Sequence, residues 1–212
     1  MWFNDQATIE LKSVLDNAFD SILAKGNANH RRIVNAIRDS DMLINASPVS
    51  VVKASGITGI IDPRKTKAKI AAGRMSIREA LGEVFITFAT ETLGSRRGTE
   101  GTLVHEMQHA YDFARTIASL SNVSLKPLGI FDPTLYELEL AAHRSSGEWM
   151  LLVGEEEYTS EGVDLMILGR DGSGTCFLHE EGIHKRLSES YKLSPTGNQG
   201  PRASELMGLR IN

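Results

Sequence analysis

Residues 99–118 constrain this chain more than any other segment, because a helical pattern there carries two histidines four residues apart. Residues 105–109 read His-Glu-Met-Gln-His, a His-Glu-x-x-His motif. Four residues turn an α-helix by about 400°, so the imidazoles of His105 and His109 lie one above the other on one face. Rings at that spacing can bind a single zinc ion at about 2.0–2.1 Å. Glu106 then lies beside the metal, where it can take a proton from a metal-activated water.

The surrounding residues favour a helix around the motif. Apolar side chains recur at helical spacing on one stripe, formed by Val104, Met107, Tyr111, Ala114 and Ala118. His105, His109 and Asp112 fall on another face of the same helix. We expect Thr99 or Thr102 to cap its start. The alternative without a metal is a helix whose histidines are ordinary polar or buried side chains.

Length and composition predict one domain of the α+β class. The chain has 212 residues, and its 41% hydrophobic content is enough for a sizeable core. Within the single domain 1–212, we expect N-terminal helices at 1–40 and a sheet region at 41–98. Metal-binding helices at 99–153 follow, and then a C-terminal helical region with a tail at 154–212. We expect a small twisted sheet packed against an active-site helix and a second, ligand-bearing helix.

Charge, cysteine content and the absence of targeting patterns exclude several classes of protein. A net charge of −4 argues against a broad nucleic-acid-binding surface, so no nucleic acid partner is expected. The single cysteine, Cys176, excludes an internal disulfide and a cysteine-rich zinc module. The sequence shows neither a secretory signal pattern nor an apolar run of the roughly 20 residues that span a membrane. We therefore expect a soluble protein that is cytoplasmic or exported by a signal-peptide-independent secretion system.

Local patterns predict the remaining elements. Helices are expected at 9–25, 29–39, 134–153 and 176–191, a helical turn at 77–81, and short strands at 42–44, 50–53 and 59–62. Residues 90–98 are predicted as a polar loop, and residues 195–201 as irregular chain. Residues 163–168 are predicted as a strand or a short buried segment. His30 falls in the second helix, where we expect it at the surface.

Residues 83–89 form the clearest strand, because β-branched and aromatic residues dominate them. They stand just before the motif helix in the sequence. One interpretation places this strand at the edge of the sheet, where its backbone could pair with an extended peptide. The other interpretation is an ordinary core strand.

A catalytic zinc ion usually has three protein ligands, and the helix predicted at 134–153 offers the third. Glu139 lies 30 residues past His109, which is enough chain for a second helix to turn back alongside the first. Small side chains between residues 141 and 147 would let the two helices approach closely.

Two alternatives to Glu139 as the third ligand stay open. Glu137 lies about 200° around the helix from Glu139, so both cannot face the metal. His143 shares the face of Glu139 and would give a three-histidine site.

Two segments together resemble the active sites of glutamate zincins. Residues 102–112 read Thr-Leu-Val-His-Glu-Met-Gln-His-Ala-Tyr-Asp, and residues 139–148 read Glu-Leu-Ala-Ala-His-Arg-Ser-Ser-Gly-Glu. The chain is most similar to the metalloprotease family that processes and assembles a mitochondrial ATP synthase subunit. The resemblance covers roughly residues 98–150, under a third of the chain. It implies a zincin-like fold with Glu106 as general base and with three Zn²⁺ ligands, His105, His109 and Glu139.

This chain also departs from that family. The mitochondrial family is cysteine-rich, whereas this chain has one cysteine, so we transfer neither its substrate nor its location. Metallopeptidase effector domains delivered by bacterial secretion systems are similar in size and motif arrangement, which is a second and looser resemblance. An effector or toxin of that kind would act on a partner cell, and a cognate inhibitor or immunity protein would be a further partner.

These observations predict a zinc metallopeptidase, an endopeptidase that hydrolyses peptide bonds in a protein or peptide substrate. A non-catalytic, zinc-stabilised binding module is the alternative from another class. Asp112 is a candidate to orient a ligand histidine through a hydrogen bond. The group that stabilises the oxyanion in the transition state stays open among five residues, Tyr136, His143, Arg144, His179 and His184.

Overall fold

A small mixed sheet and a set of helices build the described part of the chain, which comprises residues 2–3, 9–40, 42–122 and 129–209 of the computed structural model. This mixture of helix and sheet is compatible with the expected α+β class. The strands are β1 (Trp2–Phe3), β2 (Leu43–Ser47), β3 (Gly56–Ile60), β4 (Val84–Ala89), β5 (Leu168–Arg170) and β6 (Cys176–Leu178). The helices are α1 (Ile9–Lys25), α2 (Ala28–Arg38), α3 (Val49–Val52), α4 (Pro63–Ala71), α5 (Arg96–Ser121), α6 (Leu135–Val153), α7 (Glu156–Asp164), α8 (Glu180–Tyr191) and α9 (Ala203–Leu206). Two short 3₁₀ segments lie at Arg78–Glu83 and Thr92–Gly94.

The main sheet has the strand order β1-β2-β4-β3. Strands β1, β2 and β4 run parallel to one another, whereas β3 runs antiparallel to β4. The predicted strand 83–89 is therefore confirmed as β4, but it lies inside the sheet and not at its edge. The edge next to it is β3. A separate two-stranded hairpin joins β5 to β6.

Helix α5 connects the sheet to the remaining helices. It packs against β3 and β4, against α1 and α2, and against α6. The alternating side chains Val84, Ile86 and Phe88 of β4 are buried, as expected for a strand in the interior of a sheet. Among the described helices, none is long and apolar enough to cross a membrane.

The start of α5 lies earlier than the sequence predicts. Ser95 is the N-cap residue, and its hydroxyl accepts a hydrogen bond from the backbone N–H of Gly98 at 3.0 Å. The cap prediction for Thr99 or Thr102 is wrong, and so is the loop prediction for the residues after Ser95. The two glycines in the first two turns obscured a helix that the serine cap starts.

The boundaries of α6 follow its sequence closely. Thr134 and Glu137 form a capping box, in which Oε2 of Glu137 accepts a hydrogen bond from the backbone N–H of Thr134 at 2.7 Å. At the other end, Gly154 adopts a left-handed conformation with φ +69°, which glycine tolerates best. The prediction of a helix at 134–153 is confirmed to within one residue.

Tertiary contacts overrule several local patterns. Residues 50–53, predicted as a strand, belong mostly to the single helical turn α3, because the Glu91 carboxylate accepts a hydrogen bond from the N–H of Val49 at 2.8 Å and holds its start. The strand predicted at 59–62 begins earlier, at Gly56. The predicted helix 176–191 divides into strand β6 and helix α8. Residues 163–168 divide between the end of α7, a turn and the start of β5.

The surface prediction for His30 is wrong. This residue is 2% exposed and takes part in a capping box at the start of α2, where its Nδ1 accepts a hydrogen bond from the N–H of Asn27 at 3.3 Å. Its Nε2 lies 3.0 Å from the carbonyl oxygen of Ser145, so the neutral ring donates there. His30 thus joins α2 to α6.

Candidate metal centre

Helices α5 and α6 bring the two histidines of the motif and Glu139 to one point. The Nε2 atoms of His105 and His109 lie 3.1 Å apart. Each of these atoms lies 3.5 Å from an oxygen of the Glu139 carboxylate, Oε2 for His105 and Oε1 for His109. The three side chains form the metal-compatible group found among the described residues, with ligand atoms within 4.8 Å of one another.

These distances fit a tetrahedral zinc ion. Ligand atoms about 2.0–2.1 Å from the centre of a tetrahedron lie roughly 3.3–3.4 Å from one another. The measured separations of 3.1, 3.5 and 3.5 Å bracket that value. Glu139 Oε2 is buried without a hydrogen-bond partner in the described part of the chain, so it is available to a cation. The donor set of two imidazoles and one carboxylate suits zinc.

The electrostatics also fit a site that holds positive charge. Burial lowers the pKa of His109 to about 4, and the charge of His105 adds to this effect. Burial alone would raise the pKa of Glu139, but the three nearby histidines, His105 first, lower it to about 2. An ionised Glu139 and a neutral His109 are in the protonation states that metal ligation requires. Burial acts to lower the pKa of His105, but the hydrogen bond with Glu139 and the charges of Glu106 and Glu139 raise it, so His105 must lose its proton when a metal binds.

Glu106 points away from α5 toward the edge strand. One of its carboxylate oxygens, Oε2, lies 2.8 Å from the hydroxyl of Thr58 on β3, which donates to it. Gly56 makes this approach feasible, since a Cβ there would lie 2.7 Å from Thr102 Cγ2 and 2.8 Å from Glu106 Cγ. Burial raises the pKa of Glu106, while the charge of His105 and the Thr58 hydrogen bond act against that rise.

The competing carboxylate Glu137 has another function. Its side chain caps the start of α6 through Thr134, as described above, and it is exposed. Glu139, two residues further along, is 8% exposed and faces α5. Because two residues turn an α-helix by about 200°, Glu137 caps the helix while Glu139 is the candidate ligand.

His143 lies beside the cluster but outside the set of three. Its Nε2 is 4.0 Å from Glu139 Oε2, and its ring centroid is 4.9 Å from that of His105. Both ring nitrogens are buried and have no hydrogen-bond partner among the described residues. Burial lowers the pKa of His143 to about 3, and the charge of His105 adds to the effect. The geometry favours Glu139 over His143 as the third ligand.

The small residues of α6 do not all face α5. Ala142 and Ser146 are buried, and Ser146 lines the cleft described below. Gly147 faces the β5–β6 hairpin instead, because a Cβ there would lie 2.5 Å from Leu178 Cδ1. Close packing at that position therefore serves the hairpin and not the pair of metal-bearing helices.

The cleft above the cluster has a volume of about 310 Å³ and contains two residues that the sequence reasoning missed. Arg186 and Tyr191, both on α8, line it together with His105, Glu106 and His143. The Nε atom of Arg186 is buried and has no hydrogen-bond partner in the described part of the chain. Burial and the nearby charge of Glu139 together raise the pKa of Tyr191 to about 12.

No local pattern marks Arg186 or Tyr191. They lie 47 and 52 residues past Glu139, in a helix whose sequence alone does not show which face meets the cleft. The tertiary structure places Tyr191 at the cleft, where its ring contacts that of His143 at a centroid distance of 5.8 Å.

The other predicted site residues lie elsewhere. Asp112 is buried, and its carboxylate accepts hydrogen bonds from Gln108 at 2.9 Å and from Arg115 at 3.3 Å. Tyr136 directs its hydroxyl to His184 Nδ1 at 2.6 Å. Four of the oxyanion candidates, all in the described part of the chain, are absent from the lining of the cleft: Tyr136, Arg144, His179 and His184.

Comparison of the chain with protein-family models, with curated proteins and with solved structures finds no match. The likeness to the glutamate zincins therefore rests on the two sequence motifs.

Proposed function

We propose that this protein is a zinc-dependent peptide hydrolase with a zincin-like fold. The single observation that carries the proposal is the convergence of His105, His109 and Glu139 at separations that suit a tetrahedral ion, with Glu106 beside them. A structural zinc site is usually closed by four protein ligands, whereas a catalytic one keeps a position open. The described residues offer three ligands, and one of them, His105, lines a cleft together with Glu106, which favours the catalytic kind.

Zinc, when bound, would lower the pKa of a water molecule to about 7 and polarise the scissile carbonyl. Glu106 is the group in this chain that can accept the proton of the attacking water and then deliver it to the leaving amine. Thr58 holds one oxygen of that carboxylate through its hydroxyl, at 2.8 Å, and so fixes the carboxylate on the side of the edge strand.

The edge strand β3 is the surface that suits an extended peptide. It ends the sheet next to β4, and its residues Gly56 and Thr58 contact Thr102 and Glu106 on α5. An exposed strand edge can pair with the backbone of a peptide. We therefore propose that β3, and not the strand at residues 83–89, pairs with the backbone of an extended peptide.

Three side chains of this chain can stabilise the negative charge that develops on the carbonyl oxygen. His143, Arg186 and Tyr191 line the cleft, and both ring nitrogens of His143 and the Nε atom of Arg186 lack hydrogen-bond partners among the described residues. Preorganised donors of this kind commonly contribute about 100-fold to 1000-fold to the rate of acyl transfer. Arg186, with its permanent charge, is the strongest candidate.

The test is Glu106→Gln, which keeps the size of the side chain and removes its basicity. We expect zinc content and melting temperature close to wild type, with loss of peptide hydrolysis measured on a proteome-derived peptide library. Glu137→Gln is the matched control, since a glutamine keeps the capping box of α6, and it should retain full hydrolysis. Stoichiometric zinc in a wild-type protein that cleaves no peptide would favour the non-catalytic binding module instead.

A further inference from the structure

Positive charge is concentrated on helix α4 and in the turn that follows it. Residues 63–77 contain five lysines and arginines and no acidic residue, whereas the whole chain has a net charge of −4. Thr66 and Ile70 are buried and anchor α4, so most of its cations face the solvent. Four of the five cations are exposed and form what we call the basic surface: Arg64, Lys65, Lys67 and Arg74.

The charge of the basic surface is available to a partner. Arg64, Lys67 and Arg74 form no ion pair within the described part of the chain. Lys65 Nζ lies 3.2 Å from a carboxylate oxygen of Asp62, but the Lys65 side chain is 80% exposed. An ion pair that is exposed to this extent contributes little, so Lys65 can exchange its partner at small cost.

The acidic residues that border the basic surface are engaged in local contacts. Asp62 is the N-cap residue of α4. Glu83 lies 3.0 Å from Nζ of Lys69, the fifth cation of the segment. Glu79 accepts a hydrogen bond from the hydroxyl of Ser76 at 2.9 Å. An external anion would therefore meet mainly uncompensated positive charge here.

The basic surface begins where the edge strand β3 ends. Strand β3 runs from Gly56, which approaches the candidate general base Glu106, to Ile60, and α4 starts at Pro63. Four residues of extended strand span about 13 Å. Ile61, between the strand and the helix, is 56% exposed. An extended peptide paired with β3 would therefore lead from the metal cleft to α4.

The open side of β3 offers backbone groups along this path. The N–H of Ile61 donates to the carbonyl oxygen of Glu83 on the β4 side at 2.9 Å. Residues of an antiparallel ladder direct their N–H and C=O groups alternately to one side and the other, so those of Thr58 and Ile60 face the open edge. Antiparallel pairing is slightly more stable than parallel pairing, so a bound peptide is expected to run from α4 toward the cleft.

We propose that the basic surface binds an acidic segment of the polypeptide that pairs with β3, and that it thereby recruits substrates from outside the metal cleft. The surface continues the strand edge that suits an extended backbone, which favours a polypeptide as the occupant. A nucleic acid or an anionic membrane would also face the acidic remainder of the chain, which repels it.

This inference rests on the proposed function in one respect, the pairing of a peptide with β3. It goes further in naming the substrate class, a polypeptide with acidic residues about four or more positions before the cleaved bond.

Two variants with the same change in net charge test the basic surface. The surface variant combines Arg64→Gln, Lys65→Gln, Lys67→Gln and Arg74→Gln. The control variant combines Lys12→Gln, Lys25→Gln, Arg38→Gln and Lys185→Gln, which are exposed cations of other helices. Glutamine keeps the helix propensity of Lys and Arg, so both variants should fold, and thermal melts check this.

Binding is measured by fluorescence anisotropy in zinc-loaded Glu106→Gln protein, with and without each set of substitutions. The labelled peptides carry a random segment preceded by a head of alternating Glu and Asp, or by a head of Gln and Asn of the same length. At about 50 mM salt we expect the acidic head to tighten binding about tenfold, and at about 500 mM salt the gain should largely vanish. The surface variant should lose the gain, and the control variant should keep it.

Hydrolysis gives a second measurement with protein that retains Glu106. For peptides that are cleaved, the acidic head should raise kcat/KM about tenfold through a lower KM with kcat unchanged, because the head binds outside the metal cleft. The surface variant should cleave both kinds of peptide with the kcat/KM of the neutral-headed one.

The two proposals can fail separately. If the protein with Glu106 hydrolyses nothing, but the acidic head tightens binding to the control variant and not to the surface variant, the hydrolase proposal fails and the basic surface stands. If peptides are hydrolysed and bound equally well with either head, the basic surface is refuted and the hydrolase proposal stands.

Two further outcomes overturn the inference. An equal gain from the acidic head in the surface and control variants would place the acidic segment elsewhere on the protein. Binding to phosphatidylserine vesicles or to single-stranded RNA that only the surface variant loses, with no effect of the peptide head, would assign the surface to a membrane or to RNA. If the surface variant does not fold, the double variant Lys67→Gln, Arg74→Gln decides by the same measurements.

Discussion

The hydroxyl of Thr58 on the edge strand lies 2.8 Å from Oε2 of Glu106 on α5. The two residues are 48 positions apart in the sequence, and the contact joins the sheet to the candidate general base. The same hydroxyl also lies 3.0 Å from the backbone carbonyl oxygen of Glu106, which is a second contact between β3 and α5. Thr58 thus acts as a positioning residue for Glu106.

Replacing Thr58 tests this positioning function. Thr58→Val removes the hydroxyl but keeps the shape, and we expect kcat to fall about 10-fold to 100-fold while zinc content stays at the wild-type level. Thr58→Ser keeps the hydroxyl and should restore most of the activity. Equal activity of the Val and Ser variants would show that the hydrogen bond does not matter for hydrolysis. Steady-state kinetics and metal analysis measure the two effects.

The two neighbouring carboxylates of α6 provide a matched pair for the metal. Glu139→Gln should lose stoichiometric zinc, because it removes a charged ligand from the cluster. Glu137→Gln changes the same functional group two residues away and should keep the metal. At free zinc about 100-fold above its dissociation constant, the ion stabilises the native state by about 2.7 kcal/mol. Wild type and Glu137→Gln should therefore lose about 5–10 °C of melting temperature on chelation, and Glu139→Gln should lose much less.

Arg186 and Tyr191 should act in the transition state and contribute little to substrate binding. Arg186→Gln is expected to lower kcat by about 100-fold or more with little change in KM, and Tyr191→Phe should act in the same direction. Lys185→Gln is the control, since Lys185 is exposed on the same helix and lies 3.9 Å from Glu189. A rise in KM with unchanged kcat for Arg186→Gln would instead assign this residue to substrate binding.

His30 should make the stability of the protein depend on pH. Burial lowers the pKa of His30 below 6.5, while its hydrogen bond to Ser145 acts against that shift. The unfolded chain therefore binds more protons than the folded one just below pH 6.5, and stability falls as the pH decreases through that range. His30→Gln should be less stable than wild type at pH 7.5 but should show a smaller further loss at pH 5.5. Thermal melts of both proteins at the two pH values measure the difference, and parallel losses would contradict it.

Several features encoded within one or two helical turns were predictable from the sequence, although the Ser95 cap of α5 was not. The i, i+4 spacing of His105 and His109 determines their common face, and the capping box of Thr134 and Glu137 determines where α6 begins. The same helical geometry separates Glu137 from Glu139. Each of these properties depends on backbone periodicity and short-range hydrogen bonds, which a sequence shows directly.

The tertiary structure decided the features that depend on contacts between distant segments. It made β3 the edge strand instead of β4, and it brought Thr58, Arg186 and Tyr191 to the candidate metal centre. It also buried His30, whose partner Ser145 lies 115 residues away. Strand order and the face that a helix presents are set by the packing of the whole core, so no pattern within a single segment reveals them.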